Sequence, residues 1–429
     1  MNERQTAYEI LCRIEKDKAY ANLLLDSAIK ESENQTASAF LTALVYGVIE
    51  RKLTLDYLLS QHLKKPIKRL SPPVITILRM GVYQLKFMDK IPVSAAVNES
   101  VKLSKKNGAA YASGLINSVL RRVNETDISY PNTEDIAYNF SIRYSCPKDL
   151  VEHFIKDYGV ENTQGILETS FEIPPTTVRI NSERTDEKNF EALMAQEDIS
   201  LTRTDIPYTV QLSRASGLEK LQAYQDGFFH LQDAASAHCV AALQLEPGQV
   251  LIDVCAAPGG KSFTAAELMQ NKGKIFSFDL YETRVQKIRN GANRLHLSCI
   301  ETRVQDGTKQ DKTLLNCADR VLCDVPCSGF GTIRRKPEIR YKDCRSIDKL
   351  PDLQYNILNT SAPYLKENGI LVYSTCTLNR AENDAVCDRF IQNHPEFKVE
   401  GKYTTLFPHI HKTDGFFFAT FRRVHDGKD

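Results

Sequence analysis

Apolar residues recur at helical spacing along the N-terminal part of the chain. The apolar positions of 41–48 fall on one face of a helix, and Pro72 suits the start of a further helix over 74–86. A last amphipathic stretch covers 111–122, and a polar linker that contains proline follows it. The pattern predicts an all-α bundle over residues 1–125.

From Gln249 onwards the pattern changes to short apolar runs that alternate with amphipathic stretches. The runs that we predict to be strands are 250–254, 274–278, 300–304, 320–323 and 369–374. The stretches that we predict to be helices are 262–270, 282–297, 351–364 and 383–393. This alternation predicts a doubly wound, Rossmann-like α/β domain over 241–429, in which ligands bind beyond the carboxyl ends of the strands.

Residues 144–240 have a mixed pattern. The stretches predicted there are helices at 147–158, 161–170 and 190–196, with strands at 176–181 and 227–233. We therefore expect a small α/β adaptor domain, which lies in sequence between the helical and Rossmann-like domains.

Charge is distributed unevenly along a chain whose net charge is only +1. Residues 51–122 contain 14 Lys and Arg residues but only three acidic residues, a local excess of +11. Such a basic segment favours a polyanionic partner such as nucleic acid, although a solvated helix surface can carry the same charges. Arg334, Arg335 and Lys336 are a second candidate phosphate contact, for which a solvated loop is the alternative.

The composition is that of a globular protein, with 42% hydrophobic residues and no apolar run near the roughly 18 residues of a membrane span. The polar N-terminus does not resemble a signal peptide. We therefore expect a cytoplasmic monomer without membrane association. The eleven cysteines form no CxxC pair, so we expect neither a bound metal nor a disulfide framework.

A glycine-containing loop follows the first predicted strand of the Rossmann-like domain, with the sequence Cys255-Ala256-Ala257-Pro258-Gly259-Gly260-Lys261. Adjacent glycines let the backbone approach a ligand closely, and the N-terminus of the next helix offers free N–H groups to an anion. An ATP-binding P-loop would need a glycine in place of Cys255, and the spacing of a dinucleotide-binding loop is absent. S-adenosylmethionine, which has a carboxylate and no phosphate, suits the loop better.

Acidic residues follow the next two predicted strands. Asp279 lies 19 residues after Gly260, where a carboxylate could accept hydrogen bonds from both hydroxyls of a ribose. Asp306 follows the third strand and is a candidate for contact with an adenine amino group. An isolated aspartate of this kind is more often a helix cap or a turn residue, but the order of the two along the sheet favours binding.

Two cysteines follow the fourth and fifth predicted strands, Cys327 in the motif DVPC and Cys376 in the motif STC. Methylation of cytosine at C5 needs a nucleophile that adds to C6 and later leaves, and a thiolate suits this task. Asp324 is a candidate acid for the charge that develops near N3 of the base. One cysteine alone is usually a core residue, whereas two at adjacent strand ends are a more specific signal. The chemistry leaves open which of the two is the nucleophile.

These motifs resemble the signature of the Sun/Fmu RNA cytosine-C5 methyltransferases. The segments that carry the resemblance are DVCAAPGGK at 253–261, DVPCSG at 324–329 and STC at 374–376, with QDAAS at 232–236 and DGFFF at 414–418. In the helical part, GVYQL at 81–85 and GLINSVLR at 114–121 resemble a NusB-type RNA-binding domain.

The resemblance implies an enzyme that uses S-adenosylmethionine to methylate C5 of a cytosine in 16S rRNA, at position 967, in naked rRNA or in an assembly intermediate of the small subunit. It implies that Cys376 is the nucleophile and that Cys327 assists product release. The residues implied to surround the cofactor and the target base are Cys255 to Lys261, Asp279, Asp306 and Asp324. Lys261 would either anchor the cofactor carboxylate or tune a neighbouring group.

Two other classes of function compete with this interpretation. A non-catalytic RNA-binding assembly factor would need neither the cysteine pair nor the glycine-containing loop. A nucleotide hydrolase is opposed by Cys255, which stands where a P-loop has its first glycine. Equilibrium binding of S-adenosylmethionine, compared with that of ATP, separates these possibilities.

Overall fold

A computed structural model describes residues 2–17, 19–30, 35–214, 217–343 and 347–424. The chain divides into two compact units, one made of Met1–Glu172 with Ile333–Lys342 and the other of Ile173–Thr332 with Asp343–Asp429. Within the described ranges, every helix is too short or too polar to span a membrane.

The first unit is helical, as predicted. Its α-helices are α1 (Glu3–Asp17), α2 (Ala21–Lys30), α3 (Gln35–Glu50), α4 (Lys52–Ser60), α5 (Pro72–Phe87), α6 (Val93–Lys106), α7 (Ser113–Glu125), α8 (Ile136–Arg143) and α9 (Lys148–Thr169). Apolar side chains such as Leu44, Ile77 and Leu120 are fully buried in one core. Gly159 interrupts α9 with a φ of +78°, and this interruption separates the two helices predicted for this stretch.

A segment from far along the sequence completes the first unit. Residues Ile333–Lys342 belong to it and include a short 3₁₀ helix, Pro337–Tyr341. Arg334 is only 7% exposed, which contradicts the solvated loop considered as the alternative for this segment. Lys336, two residues later, is exposed.

The second unit begins with the predicted α/β adaptor. Its elements are β1 (Thr176–Ile180), α10 (Glu187–Gln196), β2 (Leu201–Arg203), β3 (Thr209–Leu212), α11 (Gln222–Gln225) and β4 (Phe229–Leu231). The strands form an antiparallel sheet in the order β2-β3-β1-β4, with Phe190 and Phe229 in its core. The sequence pattern missed β2 and β3, because both are short and β2 is largely exposed.

The rest of the second unit confirms the doubly wound α/β fold. Its strands are β5 (Val250–Asp253), β6 (Lys274–Asp279), β7 (Ile300–Val304), β8 (Ala318–Asp324), β9 (Leu365–Thr375), β10 (Phe397–Val399), β11 (Thr404–Leu406) and β12 (Phe416–Arg423). Its helices are α12 (Ala234–Ala241), α13 (Gly260–Leu268), α14 (Glu282–Arg294), α15 (Leu350–Ser361), α16 (Asp384–Asn393) and α17 (Pro408–His411).

The strand order of this sheet is β10-β12-β9-β8-β5-β6-β7, with β11 paired to β12. Strands β5 to β9 run parallel, and β12 runs antiparallel to β9. The chain passes from β5 to β6 and β7, then returns to β8 on the other side of β5. This reversal creates the crevice at the carboxyl ends of β5 and β8 where ligands bind in such sheets.

Candidate active site

The glycine-containing loop joins β5 to α13 at the crevice. Gly259 has a φ of +113°, and a Cβ added to it would lie 2.3 Å from the ring of Phe263. Glycine is therefore required at this position. The first turn of α13, which begins at Gly260, presents N–H groups that have no partner within the helix.

Asp253, the last residue of β5, is fully buried beneath this loop. Its Oδ2 accepts a hydrogen bond of 2.7 Å from the Ser262 hydroxyl, whereas its Oδ1 has no hydrogen-bond partner. Burial raises the pKa of Asp253 to about 7. The carboxyl group thus offers a free acceptor at the base of the loop, a feature that the sequence analysis did not single out.

Lys261 and Asp324 form an ion pair across the crevice. The Lys261 Nζ lies 2.7 Å from Asp324 Oδ2, and the Ser374 hydroxyl donates to Asp324 Oδ1 at 2.8 Å. Burial alone would lower the pKa of Lys261, but the charge and hydrogen bond of Asp324, together with Cys239 and Cys376, outweigh it and the net pKa lies above its ordinary value. Lys261 is therefore a cation that holds Asp324 in place, together with Ser374.

The two cysteines meet as the sequence predicted, since the Sγ atoms of Cys327 and Cys376 are 3.3 Å apart. The hydrogen bond with Cys376 and burial both raise the pKa of the Cys327 thiol well above its ordinary value. A backbone hydrogen bond holds the two cysteine-containing segments together, because the Gly331 N–H donates to the Cys376 carbonyl at 3.1 Å. Gly331 also lies against Gly415, where a side chain on either residue would collide with the other.

Asp279 is the last residue of β6 and Asp306 follows β7, so both lie at the carboxyl ends of strands as predicted, in different surroundings. Asp279 is 3% exposed, and its Oδ2 accepts a hydrogen bond of 3.4 Å from the Ala257 N–H. Asp306 accepts hydrogen bonds from the Thr308 N–H and hydroxyl, the turn role considered as its alternative. Asp306 also lies near the glycine-containing loop, since a Cβ on the adjacent Gly307 would be 3.8 Å from the carbonyl oxygen of Val254, which directly follows β5.

Residues outside the predicted set support this arrangement. The Gln232 amide donates to the Gly260 carbonyl at 3.0 Å and accepts from the Thr264 hydroxyl at 2.7 Å, which ties the QDAAS segment to the start of α13. Glu382 is fully buried beside the two cysteine loops. A single sequence gave no signal for Glu382, because an acidic residue in a polar stretch is usually exposed.

The basic residues of the first unit fall into two groups. The Arg79 guanidinium binds Asp56 through two hydrogen bonds, and Arg51 lies over the rings of Phe87 and Phe171, so these cations serve the fold. Within residues 51–122, the exposed cations for which no ion pair is found among the described residues are Lys64, Lys65, Lys68, Arg69, Lys90, Lys105, Lys106, Arg121 and Arg122. These remain available to a polyanion.

Three features define the class of protein: the parallel sheet with its topological reversal, the glycine-containing loop after β5, and Asp279 at the end of β6. Together they are those of a Rossmann-like, S-adenosylmethionine-dependent methyltransferase. The comparisons with known proteins specify which one. Residues 240–422 match the sequence profile of the 16S rRNA methyltransferase RsmB/F family, residues 1–125 match the NusB family, and residues 146–219 match the ferredoxin-like domain of RsmF/B-like methyltransferases.

Relatives of full length agree with these matches. The chain is 36% identical to the probable ribosomal RNA small subunit methyltransferase B of Bacillus subtilis, over 98% of both chains. It is 34% identical to the protein of the same name from Synechocystis, over 99% of this chain and all of the other. The crystal structure of PH0851 has the same fold, with a TM-score of 0.82, 23% identity and 99% coverage of each chain. The chain belongs to the RsmB/F family and is an S-adenosylmethionine-dependent rRNA methyltransferase.

Proposed function

We propose that the protein methylates C5 of cytosine 967 in 16S rRNA through a transient bond between Cys376 and C6 of the base. The observation that carries this proposal is the contact of 3.3 Å between the sulfurs of Cys376 and Cys327. Asp324 is the last residue of β8 and pairs with Ser374 of β9, and Cys376 directly follows β9. The names of the relatives support small-subunit rRNA as the substrate, whereas the choice of position 967 rests on the family resemblance.

The chain's own groups supply the steps at the base. The Cys376 thiolate adds to C6, and the electron pair of the C5–C6 bond becomes available at C5. N3 takes up a proton from water in this step, and the Asp324 carboxylate stabilises the protonated N3. S-adenosylmethionine supplies the methyl group to C5. A base, for which water is available, then removes the C5 proton; the C5–C6 double bond re-forms and the C6–S bond breaks with return of its electron pair to Cys376. We assign assistance in this release to Cys327.

The residues of the crevice fit S-adenosylmethionine. The unpaired oxygen of Asp253 suits an ammonium group, and the free N–H groups at the start of α13 suit a carboxylate. We assign the methionine end to the loop from Cys255 to Lys261, the ribose to the buried Asp279, and the adenine amino group to Asp306. In this assignment Lys261 acts indirectly, by holding Asp324 through an ion pair of 2.7 Å between Nζ and Oδ2.

The exposed cations of the first unit suit the phosphates of rRNA. They are well placed to contribute affinity and register without reading sequence. The substrate would be naked 16S rRNA or an assembly intermediate, acted on by a cytoplasmic monomer. We keep residues 1–125, 144–240 and 241–429 as the proposed division into RNA-binding, adaptor and catalytic domains.

Serine variants of the two cysteines test the proposal. Cys376→Ser should abolish 5-methylcytosine at position 967, mapped by bisulfite sequencing, while S-adenosylmethionine still binds. Cys327→Ser should accumulate a protein–RNA adduct that survives a denaturing gel. Cys317→Ser, a change outside the crevice, should behave as wild type. Normal methylation by Cys376→Ala, or an exchange of the two phenotypes, would overturn the assigned roles.

A further inference from the structure

Glu382 is a buried carboxylate that the proposed mechanism does not use. It is fully buried in the stretch between Cys376 and α16. Its Oε1 accepts hydrogen bonds from the Ser328 hydroxyl at 2.6 Å and from the Asn379 amide at 2.8 Å. Its Oε2 accepts from the Ser328 N–H at 2.9 Å and from the Gln354 amide at 2.8 Å.

These four contacts identify Glu382 as an anion. An ionised carboxylate only accepts hydrogen bonds, and each of the four groups around Glu382 can donate one. None of the ion pairs formed by the described part of this unit includes Glu382. Burying a charge without a counter-ion is costly even when it is hydrogen-bonded, so this anion needs an explanation beyond stability.

Glu382 connects the segment that follows β8 and contains Cys327 with the segment that follows β9 and contains Cys376. Ser328 directly follows Cys327, and its hydroxyl lies 2.6 Å from that of Thr377, which directly follows Cys376. Gln354 donates to the carbonyl of Pro326, on the other side of Cys327, at 2.9 Å. One carboxylate thus fixes the backbone around the contact between the two sulfurs.

We propose that Glu382 is a positioning residue of the two-cysteine centre, which holds the Cys327 turn against the Cys376 loop and places a negative charge beside Cys327. The proposal rests on the function proposed above. The ionisable groups that face Cys327 are Cys376, Glu382, Asp324 and the phenol of Tyr373. A fixed anion among them favours the protonated form of Cys327 and leaves the negative charge of the pair to Cys376.

The first test measures the ionisation of Cys327 without RNA. The full chain is treated with iodoacetamide across a pH series, and mass spectrometry follows the Cys327 peptide. Glu382→Gln should lower the pH midpoint of Cys327 alkylation by about one unit, because a nearby negative charge is lost. Glu382→Asp should keep most of the wild-type midpoint. The buried Cys387 must stay unmodified in every variant, which shows that the chain is folded.

The second test separates positioning from general stability. Glu382→Gln should slow turnover on rRNA at least tenfold and accumulate the covalent adduct, because the misplaced Cys327 no longer assists release. The matched control is Glu267→Gln, which alters another fully buried carboxylate whose partner is Arg179. Two results together would overturn the proposal. In Glu382→Gln the pH midpoint of Cys327 alkylation would be unchanged, and turnover would fall only in proportion to thermal stability, as in Glu267→Gln. If wild-type protein made no 5-methylcytosine, the proposed function would fail, but the alkylation series would still decide the role of Glu382.

Discussion

Replacing Arg340 by methionine tests how the segment Ile333–Lys342 is held in the first unit. Arg340 is 1% exposed, and its guanidinium is the donor to several oxygen atoms. Nη1 donates to the carbonyl oxygens of Glu50 at 3.1 Å, Tyr144 at 3.2 Å and Ser145 at 3.4 Å. Nη2 donates to the Ser170 hydroxyl at 3.4 Å. Methionine keeps the apolar stem of the side chain but none of these donors.

The expected loss follows from these distances. A hydrogen bond to a charged group contributes about 1.5–3 kcal/mol, and only the bonds to Glu50 and Tyr144 are short enough to count fully. Two bonds near the lower value predict that Arg340→Met lowers the free energy of unfolding by about 3–4 kcal/mol. This magnitude agrees with the cost of removing one partner from a buried charged network.

The loss should also increase with pH. Burial raises the pKa of Glu50 to about 7, and the charge of Arg340 opposes that rise. Without Arg340 the pKa of Glu50 rises further, so the folded form keeps its proton to a higher pH than in the wild type. Stability that depends on this proton is lost as pH rises through the folded pKa, and the variant loses more of it above pH 7.

Urea unfolding of the full chain, followed by hydrogen exchange of peptides from each unit, measures the effect. Peptides must be followed separately because two compact units need not unfold together. Arg340→Lys, which keeps the charge but has fewer donors in a fixed plane, should fall between wild type and Arg340→Met. Lys336→Met changes an exposed residue of the same segment and should cost little. A loss below about 1 kcal/mol for Arg340→Met, or an equal loss for Lys336→Met, would refute the reasoning.

Three further predictions concern RNA binding by the first unit, and cofactor binding and pH dependence in the second. Replacing Lys105 and Lys106 by glutamate should weaken rRNA binding and reduce the slope of log affinity against log salt by about two, as measured by titrations at several salt concentrations. Asp279→Ala should weaken S-adenosylmethionine binding by about tenfold or more in calorimetry, whereas Asp311→Ala should not. The pKa of Asp253, raised to about 7 by burial, predicts that wild-type stability falls between about pH 4 and pH 7 and then levels off. In Asp253→Asn, the free energy of unfolding measured with urea should no longer show this decline between about pH 4 and pH 7. The same pH profile in Asp253→Asn and wild type would contradict the prediction.

The fold was largely predictable because its signals are local. The parallel strands from β5 to β9 are mostly covered on both faces, so β5 and the core of β9 stand out in the sequence as apolar runs. The pattern placed the start of β9 too late, since its first residues are polar and pair irregularly with β8. Because the apolar runs could be recognised, the carboxyl ends of the strands could be predicted as well. The contact between Cys327 and Cys376 followed, since they come after adjacent strands.

What the sequence did not reveal depends on partners that are distant along the chain. Arg334, Arg335 and Lys336 have the composition of an exposed basic loop, yet Arg334 and the nearby Arg340 are buried. Arg340 can be buried because it donates to the backbone carbonyls of Glu50, Tyr144 and Ser145. Every residue has a backbone carbonyl, so the sequence does not show which ones will accept these bonds. Glu382 was missed for the same reason, because its four donors come from three separate stretches.

The surroundings of the cysteines favour Cys376 as the nucleophile on grounds independent of any relative. Two thiols 3.3 Å apart cannot readily both ionise, so the pair carries at most one negative charge near neutral pH. The pKa of the Cys327 thiol is raised by its hydrogen bond with Cys376, by burial and by the nearby charge of Glu382, which is tied to the residue that follows Cys327. The charge of Lys261 instead interacts with Cys376. These surroundings support the proposed role of Cys376 as the thiolate that adds to C6.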